Sequence, residues 1–156
     1  MSWIKPGFLW MMYRAGWASK ENQERILAIS IKKTFFEDVL SQGVFSSYQK
    51  HIYESQENWK AALANGDVRI QWDPDHSPYG GKLERRAIQI GMKGKTLEAY
   101  GKEQINQIVD ITDFVKAQKA FIDKRELDQL LIPNETVYEA IAVSYTHLTL
   151  PTILLV

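Results

Sequence analysis

Apolar and polar positions alternate along Val68-Arg69-Ile70-Gln71-Trp72, which puts Val68, Ile70 and Trp72 on one face of a strand. Arg85 to Met92 alternates in the same way, with Ile88 and Ile90 inward. Between the two, Asp73 to Gly81 is dense in Asp, Pro, Ser and Gly, a composition that predicts a loop. The strands are therefore expected to form an antiparallel pair with a long connection. Gln71 and Gln89 then share one polar strip, with Arg69 and Arg85 alongside.

Helical spacing marks the remaining elements. Pro6 and Gly16 bracket a helix that is apolar on every side except for Arg14, which predicts enclosure on several faces. Glu24 to Ile31 carries apolar residues of both parities and reads as a central strand. Thr34 and Glu37 have capping-box spacing ahead of a helix bearing Phe35, Phe36, Val39 and Leu40. Ser55 is placed to cap a second helix that ends at Asn65-Gly66. A short helix over Thr96 to Lys102, a strand over Ile105 to Ile111 and a helix capped by Thr112 or Asp113 follow. That last helix carries Phe114, Val115, Phe121 and Ile122, and Arg125 to Leu131 adds a further turn.

These elements predict an α+β fold: a small mixed or antiparallel sheet with packed helices, in one domain over residues 1–142. The opening helix has nothing before it to pack against, so a preceding piece of chain is expected to be missing. Residues 143–156 (VSYTHLTLPTILLV) contain no charge and resemble translated sequencing-adapter DNA. They are read as a non-native tail, and His147 is given no functional weight.

Composition narrows the function classes. The 156 residues carry 19 basic and 19 acidic side chains, so no global field draws in nucleic acid or a membrane. No apolar run reaches the roughly 18 residues needed to span a bilayer. Arg14 directly after Phe8–Tyr13, with no cleavage site beyond, argues against a signal peptide. The chain has no cysteine, which excludes disulfides, thiolate metal sites and a cysteine nucleophile, and fits a reducing cytoplasm.

Four features can carry chemistry. Asp73, Asp75 and His76 offer hard oxygens and an imidazole, but their spacing matches no metal loop and an Asx-rich turn is the simpler reading. Gly80-Gly81-Lys82 is a fragment of a phosphate loop without the rest of the motif, and a turn with positive φ explains it better. Arg14, one turn after Trp10, can stack on the indole and needs a carboxylate (Glu21 or Glu24) or an anionic ligand, which Lys5 can share. Lys82 to Lys102 holds six basic residues against two acidic ones. In that stretch Lys82, Arg85 and Arg86 form a basic patch.

Trp3-Ile4-Lys5-Pro6, Phe8 to Arg14 and Gly16-Trp17 together resemble the signature of a family named domain of unknown function 4291. The resemblance continues through Glu24 to Ile29, Gln71-Trp72-Asp73-Pro74-Asp75-His76, Gly81 to Gln89 and Ile108 to Asp113. Members begin a few tens of residues earlier, with a strand and a helix, and have no established activity. The family layout loosely resembles ADP-ribosyltransferase-type folds, which implies NAD as a cofactor candidate, though a shared fold does not fix function. Two readings follow. In the first, a nucleotide- or NAD-using transferase lines its cleft with Lys5, Trp10, Arg14, Gln71, Asp73, His76, Arg85 and Gln89, with Asp73 and Gln89 as catalytic candidates. In the second, a non-catalytic module binds RNA or a protein through Lys82, Arg85 and Arg86.

Overall fold

The computed structural model describes residues 1–138, and the boundary at 142 and the tail beyond lie outside them. The elements run β1 (Ser2–Ile4), α1 (Phe8–Ala15), β2 (Leu27–Ile31), α2 (Lys33–Ser41), β3 (Val44–Phe45), α3 (Gln56–Asn65) and β4 (Val68–His76). They continue with β5 (Lys82–Met92), α4 (Gly94–Ala99), a π-helical turn (Tyr100–Gln104), β6 (Ile105–Asp110), α5 (Thr112–Lys124) and a 3₁₀ turn (Leu127–Gln129). The fold is α+β, as the alternation and helical spacing predict.

β4 and β5 form the antiparallel hairpin, with Ile70 opposite Ile90, Gln71 opposite Gln89 and Trp72 opposite Ile88. β1 adds to the far side of β5 and β3 pairs in parallel with β4, giving the order β1-β5-β4-β3. β2 and β6 make a separate antiparallel ribbon. Val68, Ile70, Ile88, Ile90 and Met92 cover one face of the larger sheet, and the α2 stripe of Phe35, Phe36, Val39 and Leu40 packs on it. A second cluster joins Phe8, Leu9, Met12 and Ala15 of α1 to Val115 and Ile122 of α5. No described helix is long and apolar enough to cross a membrane.

Several local expectations give way to tertiary context. Residues 73–76 continue β4 instead of starting a loop, which leaves only Ser77–Gly81 as the turn. Pro74 is tolerated because β3 ends at Phe45, so this part of β4 has an open edge, and the register shifts between Pro74 and His76. β2 is not central: among the described residues β6 is its only strand neighbour, and Leu27 and Ile29 are 50% and 36% exposed. The Thr34–Glu37 capping box does not form, since α2 already starts at Lys33 and Glu37 accepts a hydrogen bond from the Tyr138 hydroxyl at 2.9 Å. Thr112 does not cap α5 either. Its hydroxyl accepts from the Ile26 amide at 2.9 Å and ties the helix start to the chain entering β2. On α5, Phe114 of the expected apolar stripe is 37% exposed, while Gln118 is buried with its side-chain oxygen accepting from the Leu131 amide at 2.7 Å.

Tyr138 packs edge-on against Phe36, and burial first, then Glu37, pushes its hydroxyl up to about 12. A raised phenol contributes stability below the ordinary tyrosine range near 10 and loses it as pH climbs toward 12. Tyr138→Phe should cost roughly 1–2 kcal/mol at pH 7. In urea melts, the variant's loss of stability between pH 9.5 and 11.5 should be smaller than that of the parent chain.

Candidate functional site

The hairpin's second face is polar by alternation, and β1 extends it. Residues paired across an antiparallel ladder share a face. Trp3, Gly91 and Arg69 therefore form one row, and Gln89 and Gln71 the next. Asp73 and Ala87 form the third row, with Gly7 lying on Ala87 so closely that a Cβ there would sit 3.5 Å from the Ala87 methyl. α1 thus begins directly above this face and runs toward the hairpin tip.

Asp73 organises the middle of the face. Gln71 donates its amide to one carboxylate oxygen at 3.0 Å and Gln89 donates to the other at 2.6 Å. Each glutamine spends an N–H on Asp73, which leaves its amide oxygen for other donors. Ser46 donates to that of Gln71 at 3.5 Å, while that of Gln89 accepts nothing from the described residues.

The cations divide into two groups. Arg85 grips the buried Asp75 at 2.9 and 2.5 Å and reaches Glu135 at 3.6 Å, so it does not join the Gln71–Gln89 strip. The register shift after Pro74 turns Asp75 toward it. Arg86 donates to the Trp72 carbonyl at 2.6 Å, and Lys82 is exposed near the tip. Lys5, Arg14 and Arg69, like Lys82 and Arg86, have no acidic partner among the described residues, and Lys5 and Arg69 differ from those two in being partly buried.

Lys5 lies over the Trp10 ring, its Nζ 5.6 Å from the centroid, and Trp10 is buried outside both apolar clusters. Burial, reinforced by the nearby Arg14 charge, lowers the Lys5 pKa below the usual lysine value. The expected inward-pointing Arg14 is corrected. α1 is not enclosed all round, and Arg14 lies on its exposed side with Tyr13. Lys5 takes the place over Trp10, and Gln23, with its amide oxygen turned to Arg14, accepts from the guanidinium at 2.8 Å. Glu24 bonds the Asn22 amide instead. Arg69 keeps a buried Nε without a partner.

Asp73, Asp75 and His76 form no metal-holding group: Asp73 takes the two glutamines, while Asp75 accepts from the His76 backbone amide at 2.8 Å and from Arg85. His76 is 3% exposed, stacks on Tyr13 with centroids 3.6 Å apart and planes 7° apart, and neither ring nitrogen has a hydrogen-bond partner. Gly80 passes beneath Tyr13 with φ +85°, the left-handed turn that the glycine doublet implied. The residues missed by sequence reading are Glu135, Gln23 and Trp3. Glu135 accepts from the Phe8 amide at 3.1 Å and so fixes the start of α1, at a sequence separation that no local pattern reveals.

A groove of about 340 Å³ opens beside Lys5, lined also by Trp3, Met11, Leu27, Ile29 and Tyr100. A smaller one of about 220 Å³ is lined by Ser46, His51, Gln71 and Arg86. Among known proteins, the family model described as domain of unknown function (DUF4291) matches residues 1–138. No curated protein and no solved structure matches the chain.

Burial holds the His76 pKa below 6.5, with Asp75 and Asp73 pulling it up and Lys82 pushing it down. Below pH 6.5 the unfolded chain takes up a proton that the native imidazole refuses, so native stability is full above that pH and falls beneath it. His76→Phe keeps the stack and removes both orphaned nitrogens. Urea midpoints should show it at least as stable as the parent at pH 7.5, with a smaller drop on going to pH 5.

Proposed function

The chain belongs to the DUF4291 family, and we propose that it binds a nucleotide, with NAD among the candidates, by gathering the ligand's phosphates onto Lys5 and Arg14. The observation that carries this reading is two neighbouring cations, one of them half-buried on a tryptophan face, with no carboxylate offered to either by the described residues. Holding like charges together costs free energy that an anionic ligand repays. Arg69, on the polar face of the sheet, adds a third cation without a carboxylate among the described residues, and Gln89 presents an amide oxygen that suits a ribose hydroxyl.

Asp73 is the carboxylate in the middle of the polar sheet face, and its clamping by Gln71 and Gln89 fixes its orientation. An ADP-ribosyltransferase-like transfer from NAD is the finer form of the reading, with Asp73 and Gln89 placed against the ribose. That form rests on these residues alone, without a solved relative. The RNA- or protein-binding alternative draws less support, because Arg85 and Arg86 already serve Asp75, Glu135 and the Trp72 carbonyl.

Calorimetric titration of the chain with ADP and with NAD tests this. Arg14→Gln, at an exposed position, and Lys5→Gln should each weaken binding about tenfold or more, the usual worth of a charge-assisted contact. Both should keep the parent's circular dichroism, and Lys82→Gln should bind like the parent. Salt-sensitive RNA binding that falls with Lys82→Glu and ignores Arg14→Gln, with no response to ADP or NAD, would favour the alternative.

A further inference from the structure

β1 is an edge strand. β5 occupies one side of it, and its other side makes no backbone hydrogen bond with any described residue. Trp3 and Ile4 of that edge strand line one wall of the larger groove. The opposite wall is the ribbon face carrying Leu27, Ile29 and Ile31, with Phe36, Tyr100 and Met11 closing the space between. Leu27 and Ile29 are exposed there because nothing described covers them. The lining contains no carboxylate. Its two charges are Lys5 at the α1 end and Lys33 on α2, the latter 3.9 Å from Glu37. At about 340 Å³ the groove falls at the small end of the roughly 300–1,000 Å³ typical of ligand sites.

We propose that this groove is the subsite for the heterocycle of a nucleoside diphosphate group whose phosphates lie on Lys5 and Arg14. The inference rests on the phosphate reading above and specifies which end of the ligand goes where. A flat heterocycle satisfies both walls at once. Its faces pack on the isoleucine and leucine side chains, and its ring nitrogens or exocyclic group meet the N–H and C=O groups of the strand edge. An acyl chain would match the apolar wall but bury those backbone groups unpaired. An added peptide strand would find only the three residues of β1 to pair with before Pro6. Lys5 belongs both to the groove lining and to the cation pair, so a single ligand can span the two.

Calorimetry with ADP and with inorganic pyrophosphate separates this subsite from the phosphate site. ADP should bind at least about tenfold more tightly than pyrophosphate, an increment matching burial of one flat ring. Ile29→Gln and Leu27→Gln, at exposed positions that need not disturb folding, should each remove most of that advantage and leave pyrophosphate affinity unchanged. Equal binding of ADP and pyrophosphate by the parent chain would overturn the groove assignment and leave the phosphate reading standing. An ADP advantage that survives both substitutions would also overturn it. If neither compound binds, the phosphate reading fails and this one with it.

Discussion

Arg85 is the tie on which the geometry depends. Asp75 is 4% exposed, and a carboxylate so buried requires a partner. Arg85 supplies one through two nitrogens and extends to Glu135, whose other oxygen accepts from the first amide of α1. Burial pushes Glu135 above the usual carboxylate range, Asp75 adds to that, and the Phe8 amide and Arg85 oppose it. Such a group is costly to place without both contacts. The arrangement therefore fixes three distant parts of the chain: the distal hairpin, the segment near residue 135 and the start of α1. With α1 anchored there, Trp10 is set under Lys5, and Arg14, on the exposed side of the helix, adds its charge near that lysine.

The same logic sorts the other charges. Arg25 pairs with Asp110, Lys102 with Glu98 and Lys119 with Asp123, all in solvent where such pairs add little. Arg86 spends its guanidinium on a carbonyl left free by the open edge of β4. Against that background Lys5 is partly buried beside Arg14, and no described carboxylate pairs with either of them or with Arg69. A folded chain that needed only stability would have little reason to hold Lys5 half-buried next to another cation.

What the sequence made legible was periodic, and what it hid was long-range. The period-two alternation of residues 68–72 and 85–92 led directly to the Gln71–Gln89 pair, and the helical stripe of Phe35 to Leu40 to its core. Asp73 to His76 misled because turn-forming residue types were taken at face value, when an open edge lets a proline remain in a strand. Arg14 misled in the opposite way. A run of large apolar residues implied a surrounded helix, yet a two-cluster fold leaves the Tyr13–Arg14 side uncovered. β1 is three residues long, too short for any period to show. Glu135, 127 residues from the amide it holds, lies beyond any local pattern.

Gly91 shows how the polar face and the groove come to share one strand. A Cβ at that position would lie 3.0 Å from the Trp3 ring and 2.8 Å from the Met1 sulfur, so only glycine lets β1 lie this close with its indole flat on β5. Trp3 fills the space that a side chain at 91 would otherwise take between Arg69 and the sheet edge. Because β1 is held there, its outer backbone faces the ribbon, and the residues that follow it lead Lys5 to Trp10. A larger residue at 91 would lift the strand, and the groove wall and the cation pair would move together. The two halves of the proposed ligand site thus share one steric condition at Gly91.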